Sequence, residues 1–264
     1  MNLFYVILYN PLFNCLMFLY KYVPGHDLGV AIILLTLLIK LLLFWPSLSA
    51  IHSQQKMQEI QPKMKELQTK YKDNKEELSR QLMAFYKENK VNPFSSCLPL
   101  LLQLPILIAL YRVFFSGINV DPVTHLLNAG QLVHLYGPLH VAYETLQIKT
   151  IAFGFLNLTA KHNIILAVLA GAAQFWQSRM VLSKRPPKVD GAKDEDMTAQ
   201  VSRTTMYTMP LITVLFGWQF PAGLAMYWFV STAFQVAQQY YYFIWHKPRK
   251  DKESQQPIVL PKVE

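Results

Sequence analysis

Residues 28–45 read LGVAIILLTLLIKLLLFW, an apolar run that contains a single charge, Lys40. An apolar helix of this length is long enough to cross the ~30 Å hydrocarbon core of a bilayer. A charge near the middle of such a helix costs about 3 kcal/mol on insertion scales. Lys40 also lies only six residues before Pro46, so its side chain can reach the headgroups by snorkelling. The run predicts a membrane-spanning helix and leaves open whether its lysine is functional or merely snorkels.

The composition extends this interpretation to the whole chain. Of its 264 residues, 52% are hydrophobic. We predict an all-α polytopic membrane protein with five spans at about 28–46, 95–116, 162–181, 201–220 and 222–244. The sequence Phe220-Pro221-Ala222-Gly223 predicts a tight turn, which would make the fourth and fifth spans antiparallel neighbours. The spans and one polar insert use up the length, so the sequence leaves no room for a separate soluble enzyme domain.

Lysine and arginine residues indicate the orientation of the spans. They are dense in residues 47–94, in 182–203 and after Trp245, and they are sparse in 117–161. Basic loops stay on the cytoplasmic side of a membrane. We therefore expect a multi-pass membrane protein with its N-terminus outside and its C-terminus in the cytosol. The net charge of +9 reflects this bias, and we predict no specific nucleic-acid site.

The segments outside the spans complete the predicted domain plan. Residues 1–24 form an N-terminal interfacial helix, preferred over a further span because Asn10 and Pro11 interrupt its apolar run. Residues 25–264 form the core, whose non-spanning parts are a cytosolic helical hairpin at 47–94, an outer loop with short helices at 117–161, a cytosolic loop at 182–200 and a basic tail at 245–264.

Two apolar stripes at helical spacing predict that the hairpin packs against itself. They comprise Met57, Ile60, Met64, Leu67 and Tyr71 in the first helix and Leu78, Leu82, Phe85 and Tyr86 in the second. Asp73-Asn74 forms the turn between them. Pro62 should kink the first helix or mark a new helical start. The exposed face of the pair could in addition dock a partner or the anionic membrane surface.

Cysteine and histidine usage favours neither a disulfide nor a metal site. We do not expect Cys15 and Cys97 to pair, because Cys97 lies at the cytosolic start of a span, where thiols stay reduced. His125, His134 and His140 lack metal-like spacing and are interpreted as ordinary interfacial histidines. We predict no metal, no cofactor and no catalytic residue.

Polar side chains recur at helical spacing in the predicted spans. In lipid, such groups must face protein or water. Hydrogen bonds between helices, worth about 0.6 kcal/mol per pair, explain any single stripe. They explain less well why polar side chains occur in all five spans. They also leave Lys40 unexplained, because no span contains an Asp or Glu that could pair with it. We therefore predict a water-filled cavity that receives something negatively charged. The missing membrane carboxylate argues against a proton-coupled or cation transporter.

Four stretches resemble the YidC/Oxa/Alb family of membrane protein insertases. The strongest resemblance lies in Val91–Arg112, VNPFSSCLPLLLQLPILIALYR, and the others lie in 29–40, 56–67 and 220–228. The resemblance covers nearly the whole chain in the family's order. It implies five core helices around a hydrophilic groove that is open to cytosol and lipid and closed to the outside.

The resemblance also implies a function without covalent chemistry, so we expect the protein not to be an enzyme. The groove cation would attract the acidic or polar N-terminal tail of a nascent membrane protein, and the apolar segment of this client would then slide into lipid. The implied partners are nascent membrane proteins, the lipid bilayer, the Sec translocon and the ribosome. A non-catalytic assembly factor and, with less support, a small-solute transporter remain as alternatives.

The site residues follow from the same resemblance, with two additions from the polar stripe of the fifth span, Ser231 and Gln235. The predicted groove residues are Lys40, Thr36, Gln103, Gln177, Tyr227, Trp228, Ser231 and Gln235. Lys40 matches a position where the family usually has arginine. Because lysine loses its charge more readily than arginine when buried, either the groove is wet around Lys40 or its charge is not always present.

Two further departures from the family pattern carry expectations. Trp45 adds one residue before Pro46, so the inner end of the first span is expected to shift. No large periplasmic domain precedes the first span, which is typical of a minimal bacterial form.

Overall fold

The computed structural model describes residues 3–89, 91–92, 98–118, 120–121, 123–182 and 196–245. Within these residues the chain is mostly helical, and it forms ten α-helices and one short β-hairpin. In chain order the elements are α1 Asn10–Tyr22, α2 Leu28–Leu42, α3 Phe44–Lys70, α4 Lys75–Glu88, α5 Leu98–Arg112, α6 Ala129–Leu132, α7 Gly137–Tyr143, β1 Ile151–Ala152, β2 Leu156–Asn157, α8 Ile164–Leu182, α9 Asp196–Gln219 and α10 Ala222–Trp245. Short π-helical turns, Tyr5–Tyr9 and Val113–Gly117, precede α1 and follow α5.

Length and hydropathy single out one bent pair of helices in the described part of the chain. No single helix there is both long and apolar enough to cross a bilayer, whereas α2 and α3 together meet that requirement and are bent by 64° at their junction. The helix α2 within the predicted first span ends at Leu42, and residues 44–46 belong to α3. Pro46 lies in the first turn of α3, where its missing N–H costs no helical hydrogen bond.

Two other predicted boundaries also differ. The fourth span was predicted from residue 201, but α9 already begins at Asp196 and so takes up part of the predicted cytosolic loop 182–200. The predicted span 95–116 corresponds to α5 and the π-helical turn behind it. Residues 183–195, the tail 246–264 and Cys97 lie outside the described residues.

Helix α8 lies at the centre of the packing between the C-terminal helices. It contacts both α9 and α10, and α10 also packs against α2. The predicted turn at Phe220–Pro221 is present, and α9 and α10 are in contact. Both helices, however, pack more extensively against α8 than against each other. Small residues allow the close approach of α8 and α9, since a Cβ added at Gly171 would lie 3.2 Å from the Pro210 carbonyl oxygen.

Helix α1 packs on the main apolar cluster. Phe13, Leu16, Met17 and Tyr20 are fully buried there together with residues of α2 and α10. The opposite face exposes large apolar side chains, including Phe18 and Tyr22, as a helix on a membrane surface would. Asn10 and Pro11, predicted to interrupt the apolar run, form the first turn of α1, where a proline is tolerated.

The outer loop is held on α1 by hydrogen bonds. The Asn14 amide donates to the His134 carbonyl at 2.8 Å and accepts from the Tyr136 N–H at 2.7 Å. The Tyr143 hydroxyl donates to the Met17 carbonyl at 2.6 Å. The short helices predicted for this loop are present as α6 and α7. The hairpin β1–β2, which pairs Ile151 with Asn157, was not predicted.

The structure confirms that α3 and α4 pack against each other. Ile60, Leu67, Phe85 and Val91 are buried in an apolar cluster of their own, flanked by Met57, Met64, Tyr71, Leu82 and Tyr86. Asn74 caps α4 by accepting the Glu77 N–H at 3.1 Å. Helix α3 continues through Pro62 without a new start, and Leu78 is not part of the cluster.

Candidate functional site

Lys40 lies in the last turn of α2, with only 5% of its surface exposed. The buried residues Leu35 and Ile39 belong to the core face of the same helix, and this face carries Lys40 into the protein. A cation is favoured at this end of a helix by the helix dipole. The dipole alone does not solvate an ammonium group, so the surrounding polar groups are decisive.

The polar neighbours of Lys40 come from two other helices. Its Nζ donates to Gln103 Oε1 of α5 at 3.3 Å, and Gln103 Nε2 donates to the Tyr227 hydroxyl of α10 at 2.5 Å. Ser231, one turn further along α10, also hydrogen bonds to the Tyr227 hydroxyl. We call Lys40, Gln103 and Tyr227 the Lys40 triad. It joins α2, α5 and α10 at one point.

The charge of the Lys40 triad is not balanced by an acid. Across the residues that the structure describes, no carboxylate lies within ion-pairing distance of Lys40. An ammonium group has three donors, and in this part of the chain only the one facing Gln103 has a partner. Open surroundings, as predicted for Lys40, are not seen, because the side chain is almost completely covered. The wet groove stays a prediction.

The remaining predicted groove residues form separate contacts. Gln177 Nε2 of α8 donates to Gln235 Oε1 of α10 at 2.7 Å. Thr36 is fully buried, and its hydroxyl donates to the Ile32 carbonyl of its own helix at 2.7 Å. Trp228 is half-buried beside Tyr227. The structure thus brings Lys40, Gln103, Tyr227 and Ser231 together and keeps Gln177 and Gln235 as a second pair.

A third polar contact lies nearer the end of α10 and is not in the predicted groove set. Ser47 donates to Gln238 Oε1 at 2.9 Å, and Gln238 Nε2 donates to the Phe44 carbonyl at 3.1 Å. The sequence held a signal for it, because Gln238 continues the three- and four-residue spacing of Ser231 and Gln235. Gln238 accepts the Ser47 hydroxyl of α3 and so fixes the junction of α2 and α3 on α10.

The histidines of the outer loop fit structural roles. In the described residues, no three His, Cys, Asp or Glu side chains are arranged to hold a metal ion. His134 Nδ1 lies 3.1 Å from Asn10 Oδ1, and its ring stacks on Tyr5. His140 contacts the Leu132 carbonyl and Glu144.

The arrangement is suited to reversible binding. A protonated ammonium is not a nucleophile, but its unused donors can bind an anion strongly where bulk water is excluded. The donors and acceptors of Gln103, Tyr227 and Ser231 can also replace part of the hydration of a polar chain.

Comparison with known proteins identifies related sequences. Residues 9–250 match the family model described as "60Kd inner membrane protein". The chain is similar to the "Membrane protein insertase YidC" of Syntrophobacter fumaroxidans, with 34% identity over 88% of this chain and 37% of the relative. The protein of that name from Marinobacter nauticus is 36% identical over 90% of this chain and 35% of the relative. The one from Rickettsia bellii is 31% identical over 90% of this chain and 39% of the relative. The chain thus spans less than two fifths of the length of these relatives.

Proposed function

The chain belongs to the 60Kd inner membrane protein family, and on that premise we propose that it is a membrane protein insertase of a bacterial plasma membrane. The observation that carries the proposal is Lys40, a buried cation without an acidic partner in the described chain, which is hydrogen-bonded to Gln103 and, through Gln103, to Tyr227. Such a cation is energetically costly in a membrane protein. Ionisable residues inside membrane segments are therefore taken as candidates for a functional role.

We propose a core of five membrane helices, α2, α5 with its π-helical turn, α8, α9 and α10. The hairpin α3–α4 lies in the cytosol, while α1 and the outer loop lie at the outer surface. The bias of basic residues supports this orientation, and the hydrogen bonds between α1 and the outer loop keep these two parts together. The N-terminus is then outside and the C-terminus in the cytosol.

In the proposed mechanism, the acidic or polar tail of a nascent membrane protein binds near Lys40. A carboxylate forms a charge-assisted hydrogen bond with the ammonium, and Tyr227 and Ser231 replace part of the water that the tail loses. Burial of the client's apolar segment in lipid then drives insertion. Nascent membrane proteins and the bilayer are the proposed partners, and the Sec translocon and the ribosome join them as proposed sources of clients.

The experiment uses proteoliposomes that contain only this protein and a single-span client with an acidic N-terminal tail. Protease protection of the translocated tail measures insertion. Wild type should protect the tail, Lys40→Ala should protect much less of it, and Lys40→Arg should retain protection because it keeps the charge. A thermal unfolding curve for each variant in detergent checks that the fold is intact.

The other outcomes separate the competing interpretations. Equal protection by wild type and Lys40→Ala would leave an insertase in which Lys40 merely snorkels. No protection by the folded wild type would contradict autonomous insertion and would favour an assembly factor that acts with the translocon.

A further inference from the structure

In the described chain, Gln103 is the hydrogen-bond acceptor of the Lys40 ammonium. Its Oε1 accepts from Lys40 Nζ at 3.3 Å, so a neutral amide oxygen competes with a client carboxylate for the ammonium. Lys40 is at the same time 5% exposed. An incoming tail therefore meets a lysine that is both covered and already hydrogen-bonded.

Lys40 fixes which end of the Gln103 amide faces it. The amide has an acceptor end and a donor end, and an ammonium can only donate, so the acceptor end faces Lys40. The donor end, Nε2, donates to the Tyr227 hydroxyl at 2.5 Å. Tyr227 is itself only 1% exposed, so the amide is held from the interior of the protein. The reversed amide would set its NH₂ group against an ammonium, which is unfavourable.

We infer that Gln103 is the positioning residue of Lys40, an internal acceptor that holds the ammonium in the unoccupied protein and competes with the client tail for it. This inference rests on the proposed function. A carboxylate competes well with the amide because it adds the attraction of a full negative charge to the hydrogen bond from the ammonium. Gln103 then sets how much client is needed for insertion, for every client that binds through Lys40.

The internal acceptor competes with the client, and the direction of each substitution follows from this competition. Gln103→Leu removes the acceptor and leaves Lys40 free, so less client should be needed. Gln103→Glu supplies an internal carboxylate that pairs with Lys40, so more client should be needed. Tyr227→Phe keeps the ring but releases the amide, and it should act like Gln103→Leu to a smaller extent.

The test measures the client concentration that gives half-maximal tail protection in the same proteoliposomes. Gln103→Leu should lower it roughly tenfold or more, the factor that corresponds to one hydrogen bond to a charged group, and Gln103→Glu should raise it by at least as much. Gln131→Leu serves as the matched control, because the side chain of Gln131 in the outer loop also hydrogen bonds to a tyrosine, Tyr9, at 3.2 Å. It should leave the concentration unchanged.

A double variant excludes a merely structural effect. Lys40→Gln removes the charge, so adding Gln103→Glu to it should change nothing further. If Gln103→Glu impairs insertion equally with and without Lys40, the inference is overturned. It is also overturned if Gln103→Leu and Gln103→Glu both insert like the wild type. In either case the insertase function stands, whereas failure of the folded wild type to insert any client contradicts the function itself.

Discussion

At the scale of single residues, Asp27 shows how one carboxylate joins two elements. Its Oδ1 accepts the N–H groups of Gly29 and Val30 at 2.7 and 3.1 Å and so caps α2. Its Oδ2 accepts the Phe153 N–H of the β-hairpin turn at 2.6 Å. The hairpin sits so closely that a Cβ added at Gly29 would lie 2.6 Å from Ala152 Cβ. Asp27 thereby fixes the start of the helix that carries Lys40.

Replacing Asp27 tests this role. Asp27→Ala should lower the free energy of unfolding by about 0.5–2 kcal/mol, the usual cost of losing an N-cap, and should loosen the hairpin as well. Asp27→Asn keeps a capping oxygen and loses the second acceptor, so its effect should be smaller and confined to the hairpin. Unfolding in detergent measures the first effect, and amide exchange at Phe153 measures the second.

The control is an exposed aspartate with similar hydrogen bonds. Asp121 accepts the N–H groups of Thr124 and Val123, and these bonds hold the pKa of its carboxyl below the ordinary value. It caps no helix, so Asp121→Ala should change the stability little. Equal losses for Asp27→Ala and Asp121→Ala would contradict the capping role.

At the scale of elements, hydrophobic periodicity made the hairpin α3–α4 predictable, because its stripes pack against each other. The break at Leu43 was not predictable in the same way, since the apolar run continues to Trp45 and composition alone does not distinguish a bent pair from one helix. The β-hairpin was missed because its strands have two residues each. The available signal in the sequence was Gly154 in the turn, where Phe153 and Gly154 have positive φ of 52° and 79°.

The candidate site, too, was only partly predictable from the sequence. Lys40 was predictable, because a lone charge in an apolar run stands out in any sequence. Its partners were named only as separate residues of a groove. Gln103 lies 63 residues from Lys40 and 124 residues from Tyr227 along the chain, so their contact depends on how α2, α5 and α10 pack. No local pattern encodes that packing.

The hairpin gives a prediction at this scale. Phe85 is fully buried in the apolar cluster of α3 and α4, so Phe85→Ala should destabilise the hairpin by about 3–5 kcal/mol, as large-to-small core substitutions do. Because this cluster is separate from the main one, the loss should appear as local unfolding. Proteolysis within residues 44–88 should accelerate, while the melting temperature of the membrane core should change little.

Met83 provides the matched control, since it lies on the same helix α4 and is 65% exposed. Met83→Ala should leave the proteolysis rate near that of the wild type. A general loss of stability in Phe85→Ala, with the core melting together with the hairpin, would show that the two clusters unfold as one unit.

At the scale of the whole molecule, polar anchors lie at both ends of the helical core. The outer loop is bonded to α1 through Asn14 and Tyr143, and the junction of α2 and α3 is bonded to α10 through Gln238. The Lys40 triad lies between these anchors on α2 and α10. Anchors at both ends allow the middle of the core to keep an uncompensated cation without losing its packing. The proposed orientation requires the two ends to lie on opposite sides of the membrane.

That requirement can be tested by labelling single cysteines from one side. In a variant with Cys15 and Cys97 replaced by serine, Val123→Cys would report on the outer loop and Met83→Cys on the hairpin, because these residues are 84% and 65% exposed. A maleimide that does not cross membranes should label Val123→Cys on intact spheroplasts, and it should label Met83→Cys only after lysis. The reverse pattern would invert the proposed orientation. Labelling of both from outside would contradict opposite placement and, with it, the proposed cytosolic position of the hairpin.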